Sequence, residues 1–358
     1  MGDDYLQLHS LMADHGDCLI LEYGQITKPK RILIDAGTIG AFDRLKPILD
    51  ELIQEKIDPF ELFVITHIDA DHIGGALKVL EHPNYQKLFK EIWFNGREHL
   101  NPGAFLEIFG AVQGELLTQL ILASGVSWNG KFEMSNISLD EVDQPRLITI
   151  DVDLKITILS PGFSQLQKLL PKWDDEIKKA GLNPQDPNIA LPQPASIFER
   201  LGSLDIDLLS SIDFKEDTSE ANGSSIAMLV ELNGKKILFG ADAHPTVLTS
   251  AISKLNNGKP YQVDLFKLPH HGSKNNVSIE LIKQIPSKAY LFSSNGAYYK
   301  HPDEEAVARV IKYAPPNPKL LFNCETVFNS KWNNPNLMSE WNYTVLYGKD
   351  NLGIITRI

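Results

Sequence analysis

Short apolar runs rich in β-branched residues recur along the chain at 18–22, 31–34, 62–66, 91–94, 154–159, 225–232, 236–239, 263–268 and 289–293. Runs of that length and composition predict buried strands. Asn233-Gly234 separates two of them, and a pair that tolerates positive φ at both positions predicts a tight hairpin. Helical spacing lies between the strands. Pro47 can open a helix whose apolar stripe is Ile48, Leu49, Leu52 and Ile53, and further helices are expected after His72, around 278–284 and over 303–313.

Strands and helices alternate, yet the hairpin intrudes, which argues against a purely parallel doubly wound sheet. An α/β (α+β) sandwich of two sheets flanked by helices fits better. The halves also rhyme. One strand ends at Asp35 and a later one at His67; in the second half the corresponding ends are Asp242 and His270. Packing two similar mixed-sheet halves face to face would gather these four strand ends at one edge.

One stretch interrupts the scheme. A helical pattern from 163 to 180 puts Leu166, Leu170, Trp173 and Ile177 on one face, with Pro171 positioned to break it. Residues 183–194 then carry Pro184, Pro187, Pro192 and Pro194. The reading is a single domain over 1–358 with an insertion at about 162–220, either a lid or a surface excursion.

Composition narrows the function classes. The 358 residues are 43% hydrophobic and 22% charged, enough for a sizeable core, and the formal net charge of -12 argues against a broad grip on nucleic acid. Cys18 and Cys324 are too few for a disulfide framework or a cysteine zinc site and are expected to be buried free thiols. No leader pattern or membrane-length apolar run is present, so a cytoplasmic protein away from the membrane is expected.

The chemistry concentrates in Thr66-His67-Ile68-Asp69-Ala70-Asp71-His72, directly after a strand and before Gly74-Gly75 and a helix. Four ionisable side chains so close together repel or stay unsatisfied unless exposed or neutralised, and a divalent cation satisfies carboxylate and imidazole together. Bound water then titrates near neutrality and becomes a hydroxide nucleophile. No P-loop or dinucleotide fingerprint competes with this reading.

The segment resembles the H-x-H-x-D-H signature of the metallo-β-lactamase superfamily, with Asp69 in place of the second histidine. That replacement, with the Gly-Gly pair, resembles the branch containing the hydrolase domain of ComEC-like DNA-uptake proteins and stand-alone bacterial relatives. Gly16-Asp17-Cys18 with Leu33-Ile34-Asp35-Ala36-Gly37, Gly240-Ala241-Asp242, Pro269-His270-His271-Gly272-Ser273-Lys274 and Lys300-His301-Pro302 match in order. The resemblance implies an αββα sandwich and a metal-dependent hydrolase, most simply a phosphodiesterase or nuclease acting on nucleotide or short nucleic-acid phosphodiesters. Hydrolysis of a lactone, thioester or β-lactam is the alternative, and a metal-binding sensor or partner module without catalysis is the non-enzymatic one. It also implies one or two ions, zinc or manganese, and a protein partner in a multi-component bacterial system.

By the same resemblance His67 and Asp69 would serve one metal, and Asp71, His72 and His270 a second, with Asp242 bridging. His271 is the alternative to His270 or a substrate contact. Asp71 would orient the nucleophile. His271, Lys274 with Ser273, or His301 would hold phosphoryl charge or protonate the leaving group. Asp35 is expected to hydrogen-bond a ligand histidine. Ser160 stands where relatives often supply another histidine, which weakens the first site. His9, His15, His82 and His99 match no motif and are expected to be structural or exposed.

Overall fold

The computed structural model describes residues 5–100, 116–152, 154–179, 204–349 and 352–358. Fifteen strands form two mixed sheets among the described residues. The first contains β1 (Tyr5–Ser10), β2 (Leu19–Gln25), β3 (Lys28–Ile34), β4 (Leu62–Val64), β5 (Glu91–Trp93), β6 (Ser127–Trp128) and the last strand, β15 (Ile354–Arg357), in the order β15-β1-β2-β3-β4-β5-β6. The second contains β7 (Arg146–Thr149), β8 (Leu154–Ser160), β9 (Ala227–Leu232), β10 (Lys235–Phe239), β11 (Val263–Lys267), β12 (Ser287–Phe292), β13 (Lys319–Phe322) and β14 (Thr344–Tyr347), in the order β14-β13-β12-β11-β10-β9-β8-β7.

The halves share a plan. An antiparallel pair, β2/β3 or β9/β10, is followed by strands added in parallel, β4 and β5 or β11 and β12. Asn233 and Gly234 both take positive φ in the β9/β10 turn, as the hairpin signal requires. Parallel strands put their carboxyl ends on one edge, where ligands collect in α/β folds. Asp35 and His67 follow β3 and β4, and Ala241-Asp242 and His270 follow β10 and β11.

Three apolar clusters give four layers. Leu8, Leu21, Ile156, Met228 and Ile237 fill the space between the sheets. Helices Phe42–Gln54 and Ala70–Glu81 cover the outer face of the first sheet, and Pro245–Leu255 and Glu304–Tyr313 that of the second. This is the helix-flanked double-sheet sandwich expected from the pattern.

Some boundaries differ from expectation. The first helix starts at Phe42, so Pro47 lies inside it; Leu45, Leu49 and Leu52 form the buried stripe while Ile53 is exposed. Five residues before Pro47 already turn the chain, and the Leu45 side chain starts the apolar face. Pro171 falls in a tight turn, Leu170–Lys172, between helices Phe163–Leu169 and Trp173–Lys179. Leu166, Leu169, Trp173 and Ile177 are buried in the core of the first half. The proline-rich stretch 183–194 lies outside the described residues. Cys18 and Cys324 are free and buried, and no described helix is long and apolar enough to cross a membrane.

Candidate metal centre

The strand-end loops are shaped by backbone that few side chains tolerate. Asp35 and Ala241 take φ of 54° and 45° at equivalent places in the two halves, and His270 and His271 take 47° and 53°. Left-handed conformations of this kind cost about 1–3 kcal/mol each and persist where surrounding structure imposes them. Gly75 allows the helix Ala70–Glu81 to start against the strand end, because a Cβ there would meet the Ala36 carbonyl oxygen at 2.0 Å.

Four histidines converge on one carboxylate. His72 Nε2 lies 3.4 Å from Asp242 Oδ1; His270, His271 and His67 place Nε2 at 3.7, 3.8 and 3.9 Å from Asp242 Oδ2. Asp71 Oδ2 is 3.4 Å from His271 Nε2, and Asp69 Oδ2 is 3.6 Å from His67 Nε2. Asp69 also caps the helix Ala70–Glu81, yet its side chain makes no capping bond and remains free to face His67.

Each histidine is held through its other nitrogen. Asp35 Oδ2 lies 2.8 Å from His72 Nδ1 and also accepts from the Thr66 hydroxyl, which in turn sits 3.0 Å from His67 Nδ1. His271 Nδ1 faces Asp17 Oδ1 at 3.5 Å and Ser293 Oγ at 3.5 Å. His270 Nδ1 has Asn276 Oδ1 at 3.0 Å, Asn222 at 3.3 Å and Asp217 at 3.5 Å. Such partners fix ring orientation and tautomer so that Nε2 points inward.

The inward atoms fit a cation. His67 Nε2, His72 Nε2, His271 Nε2 and Asp242 Oδ1 are buried with no hydrogen-bond partner among the described residues. Burying such atoms without partners is costly, and imidazole nitrogens with carboxylate oxygens are a donor set for a divalent metal. Two ligand triads lie within 4.8 Å, namely His67 with His72 and Asp242, and Asp71 with His72 and His271. A third, Asp17 with Asp35 and His72, consists of atoms already engaged in orienting the rings.

Charges follow the same geometry. Burial alone would raise the Asp242 carboxyl, but His72, His270 and His271 hold it well below the usual range. His72 and His271 are raised against the opposing effect of burial, chiefly by Asp242, and His270 reaches about 9 with help from Asp217. His301 goes the other way: burial and the neighbouring His270 and His271 keep it neutral.

The sequence-derived candidates therefore fall into two groups. His67, Asp69, Asp71, His72, Asp242, His270 and His271 come together. His271 is the histidine placed with Asp71 and His72, while His270 approaches Asp242 with its side chain partly exposed. His301 stands beside them, its ring 5.2 Å from that of His270 and its buried Nδ1 without a hydrogen bond among the described residues but 3.6 Å from Asp303 Oδ2. Lys274 is drawn elsewhere. Its ammonium donates to Glu305, its N–H to Asp303, and its carbonyl accepts from Arg309, so the chain around it is tied to the helix Glu304–Tyr313.

Ser160 ends β8 opposite Ala227, and the neighbouring Ile226 N–H donates to the Thr66 carbonyl. The Ser160 hydroxyl is buried and has no hydrogen-bond partner among the described residues, and a hydroxyl is a weaker metal donor than an imidazole. His9 contacts the Leu352 carbonyl, His82 accepts from Asn84 N, and Gly96 N donates to His99. His15 instead stacks on Tyr298 near the centre.

Sequence reading missed Lys267, buried and paired with Asp17 beneath His271, and the polar set Asp217, Asn222 and Asn276 behind His270. A lysine inside the apolar run 263–268 was a usable signal, since a fully buried lysine demands a partner. The distant polar set left no local signal.

No curated protein matches the chain. Among solved structures, the metallo-beta-lactamase fold protein YhfI from Bacillus subtilis aligns at 9% identity and a TM-score of 0.39, covering 99% of this chain and 100% of that one. Zn(2+)-bound PqqB from Methylobacterium extorquens aligns at 10% and 0.39, covering 98% and 100%. The CmlA beta-hydroxylase, as a mutant, aligns at 10% and 0.38, covering 100% of this chain and 54% of its own. Residues 14–89 match the family model of the Metallo-beta-lactamase superfamily. That match spans the segment that carries Asp17, Asp35, His67, Asp69, Asp71 and His72.

Proposed function

We propose that this protein is a divalent-metal-dependent phosphodiesterase acting on nucleotides or short nucleic-acid ends. The observation that carries the hydrolase part is the convergence of four Nδ1-anchored histidines on Asp242, with their Nε2 atoms inward. The phosphodiester part is supported by the likeness of the Asp69 replacement and the Pro269-to-Lys274 segment to the ComEC-like branch.

His67, Asp69 and Asp242 would hold one ion, and Asp71, His72, His271 and Asp242 a second. A bound divalent cation lowers the pKa of water toward neutrality and offsets charge that develops on a phosphoryl group. Asp242 belongs to the first triad and lies 3.8 Å from His271 of the second, so its carboxylate stands between the two groups of donors. Asp71, held ionised by His72 and His271 despite burial, can accept a hydrogen bond from an incoming water and aim its lone pair. His301, kept neutral, can donate one ring N–H to a substrate oxygen without adding a full positive charge. The overall acidity of the chain favours a small substrate over long duplex.

The test is hydrolysis by protein loaded with Mn2+ or Zn2+. Bis-p-nitrophenyl phosphate and a single-stranded oligonucleotide should be cleaved, nitrocefin and a lactone should not, and Asp242→Ala should abolish cleavage with the fold intact. Turnover of the lactone or nitrocefin without phosphodiester cleavage would overturn the substrate assignment. Less than one tightly bound ion per chain would overturn the hydrolase reading itself.

A further inference from the structure

A cluster of aromatic rings borders the metal centre, and none of them is needed to build it. Tyr299 lies 5.8 Å from the His301 ring at 27° and 6.5 Å from the His270 ring. Tyr298 meets it edge-on at 4.3 Å, and His15 stacks on Tyr298 at 5.1 Å. Tyr299 remains 54% exposed. A lone exposed tyrosine is unremarkable on a protein surface, but this ring shares its surroundings with the ligand candidates. Besides its partial burial, the charges of Asp71, Asp69 and Asp242 push the Tyr299 phenol up.

We infer that Tyr299, backed by Tyr298 and His15, is a stacking platform for a nucleobase at the mouth of the metal centre. The inference rests on the phosphodiesterase reading and deepens it by naming how the substrate is gripped. A chain with net charge -12 lacks the broad basic footprint that holds nucleic acid through its phosphates, so affinity must come from elsewhere. An aromatic face is the sequence-tolerant alternative, since every base has a π-face of its own. The ring is also placed in advance. Asn295 N–H donates to the Asp14 carbonyl at 2.7 Å, joining this loop to the one that carries His15, and Lys300 N–H closes a turn on Gly296 at 2.9 Å. Little ordering remains to be done on binding, which keeps the gain from stacking.

The test is equilibrium binding to the full-length, Zn2+-loaded protein, read by quenching of 2-aminopurine deoxyribonucleoside 5′-monophosphate fluorescence. Deoxyribose 5-phosphate serves as a competitor that has the phosphate and no base. Wild type and Tyr299→Phe should quench and bind alike, because the ring is kept. Tyr299→Ala should bind roughly tenfold or more weakly, and the sugar phosphate should compete with wild type at a similarly reduced strength. Equal competition by sugar phosphate and nucleotide would overturn the platform, as would unchanged binding by Tyr299→Ala or no quenching at all. Loss in Tyr299→Phe equal to that in Tyr299→Ala would overturn stacking in favour of a phenol hydrogen bond. Cleavage of bis-p-nitrophenyl phosphate, measured alongside, separates the two claims. Base-dependent binding without cleavage sinks the hydrolase and leaves the platform standing; cleavage without base-dependent binding does the reverse.

Discussion

Lys267 and Asp17 form an ion pair in which neither side chain reaches solvent, directly behind His271. Asp17 also accepts from the Ser293 hydroxyl at 2.5 Å, and Lys267 Nζ lies 3.4 Å from the Ala241 carbonyl. Burial alone would raise the Asp17 carboxyl, and the Lys267 ammonium is the main force that holds it far below the usual range instead. The pair thus presents a fixed anion to His271 Nδ1 and aims Nε2 at Asp71 and Asp242.

Removing one member of such a pair strands the other. Lys267→Met should therefore cost about 3–5 kcal/mol of stability in urea denaturation of metal-stripped protein, whereas Asp17→Asn combined with Lys267→Met should recover part of the loss. A single Lys267→Met variant within about 1 kcal/mol of wild type would show that the pair is not the anchor argued here.

Metal binding should stabilise the fold because the convergent atoms exist only when both halves are in place. Chelation of loaded protein is expected to lower Tm, with about 2.7 kcal/mol at stake when free metal is 100 times Kd. His72→Ala removes a buried imidazole that lies close to both groups of donors, and should reduce metal content more than loss of the partly exposed Asp69 carboxylate in Asp69→Ala, as read by elemental analysis after dialysis. The opposite ranking would redraw the ligand sets.

Gly16 is a second point of leverage. A Cβ there would lie 1.7 Å from the Asp71 carbonyl oxygen, so Gly16→Ala must displace the backbone that carries Asp71. The expected result is weaker metal binding at the Asp71–His72–His271 side with a stability loss of about 1–3 kcal/mol. A variant with unchanged metal content and Tm would mean that the loop yields freely.

Away from the centre, His99 gives the molecule a sensitivity to acid. Burial against Trp128 pushes its pKa down to about 4. The folded value lies below the unfolded 6.5, so this contribution is fully present above pH 6.5 and is lost as pH falls from there toward 4. The amount is of order 3 kcal/mol, from about 1.4 kcal/mol per unit. Stability of metal-stripped wild type and His99→Gln, compared over that range, should diverge in slope; parallel curves would count against the assignment.

What could be read from the chain alone follows from range. The cluster from His67 to His72, the Asn233-Gly234 turn and the inner strands are local patterns, and they stand where the pattern put them. The edge strand β15 escaped because its partner β1 lies at the other end of the chain, and a short run such as Ile354–Arg357 carries little period of its own. The choice between His270 and His271 also escaped. Both follow the same strand, and only their left-handed backbone and the partners Asp17 and Asp217 decide which way each ring faces. Lys267 and Asp17 are legible as separate oddities but not as a pair.

The donors of the centre divide between the two sheets, with His67, Asp69, Asp71 and His72 after β4 and Asp242, His270 and His271 after β10 and β11. A cation bound there would act as a rivet through the seam of the sandwich. Neither half alone can close a triad that includes Asp242 or His271, so capture of the ion waits on docking of the sheets. Metal uptake would then come late in folding and would gauge whether the two halves have met.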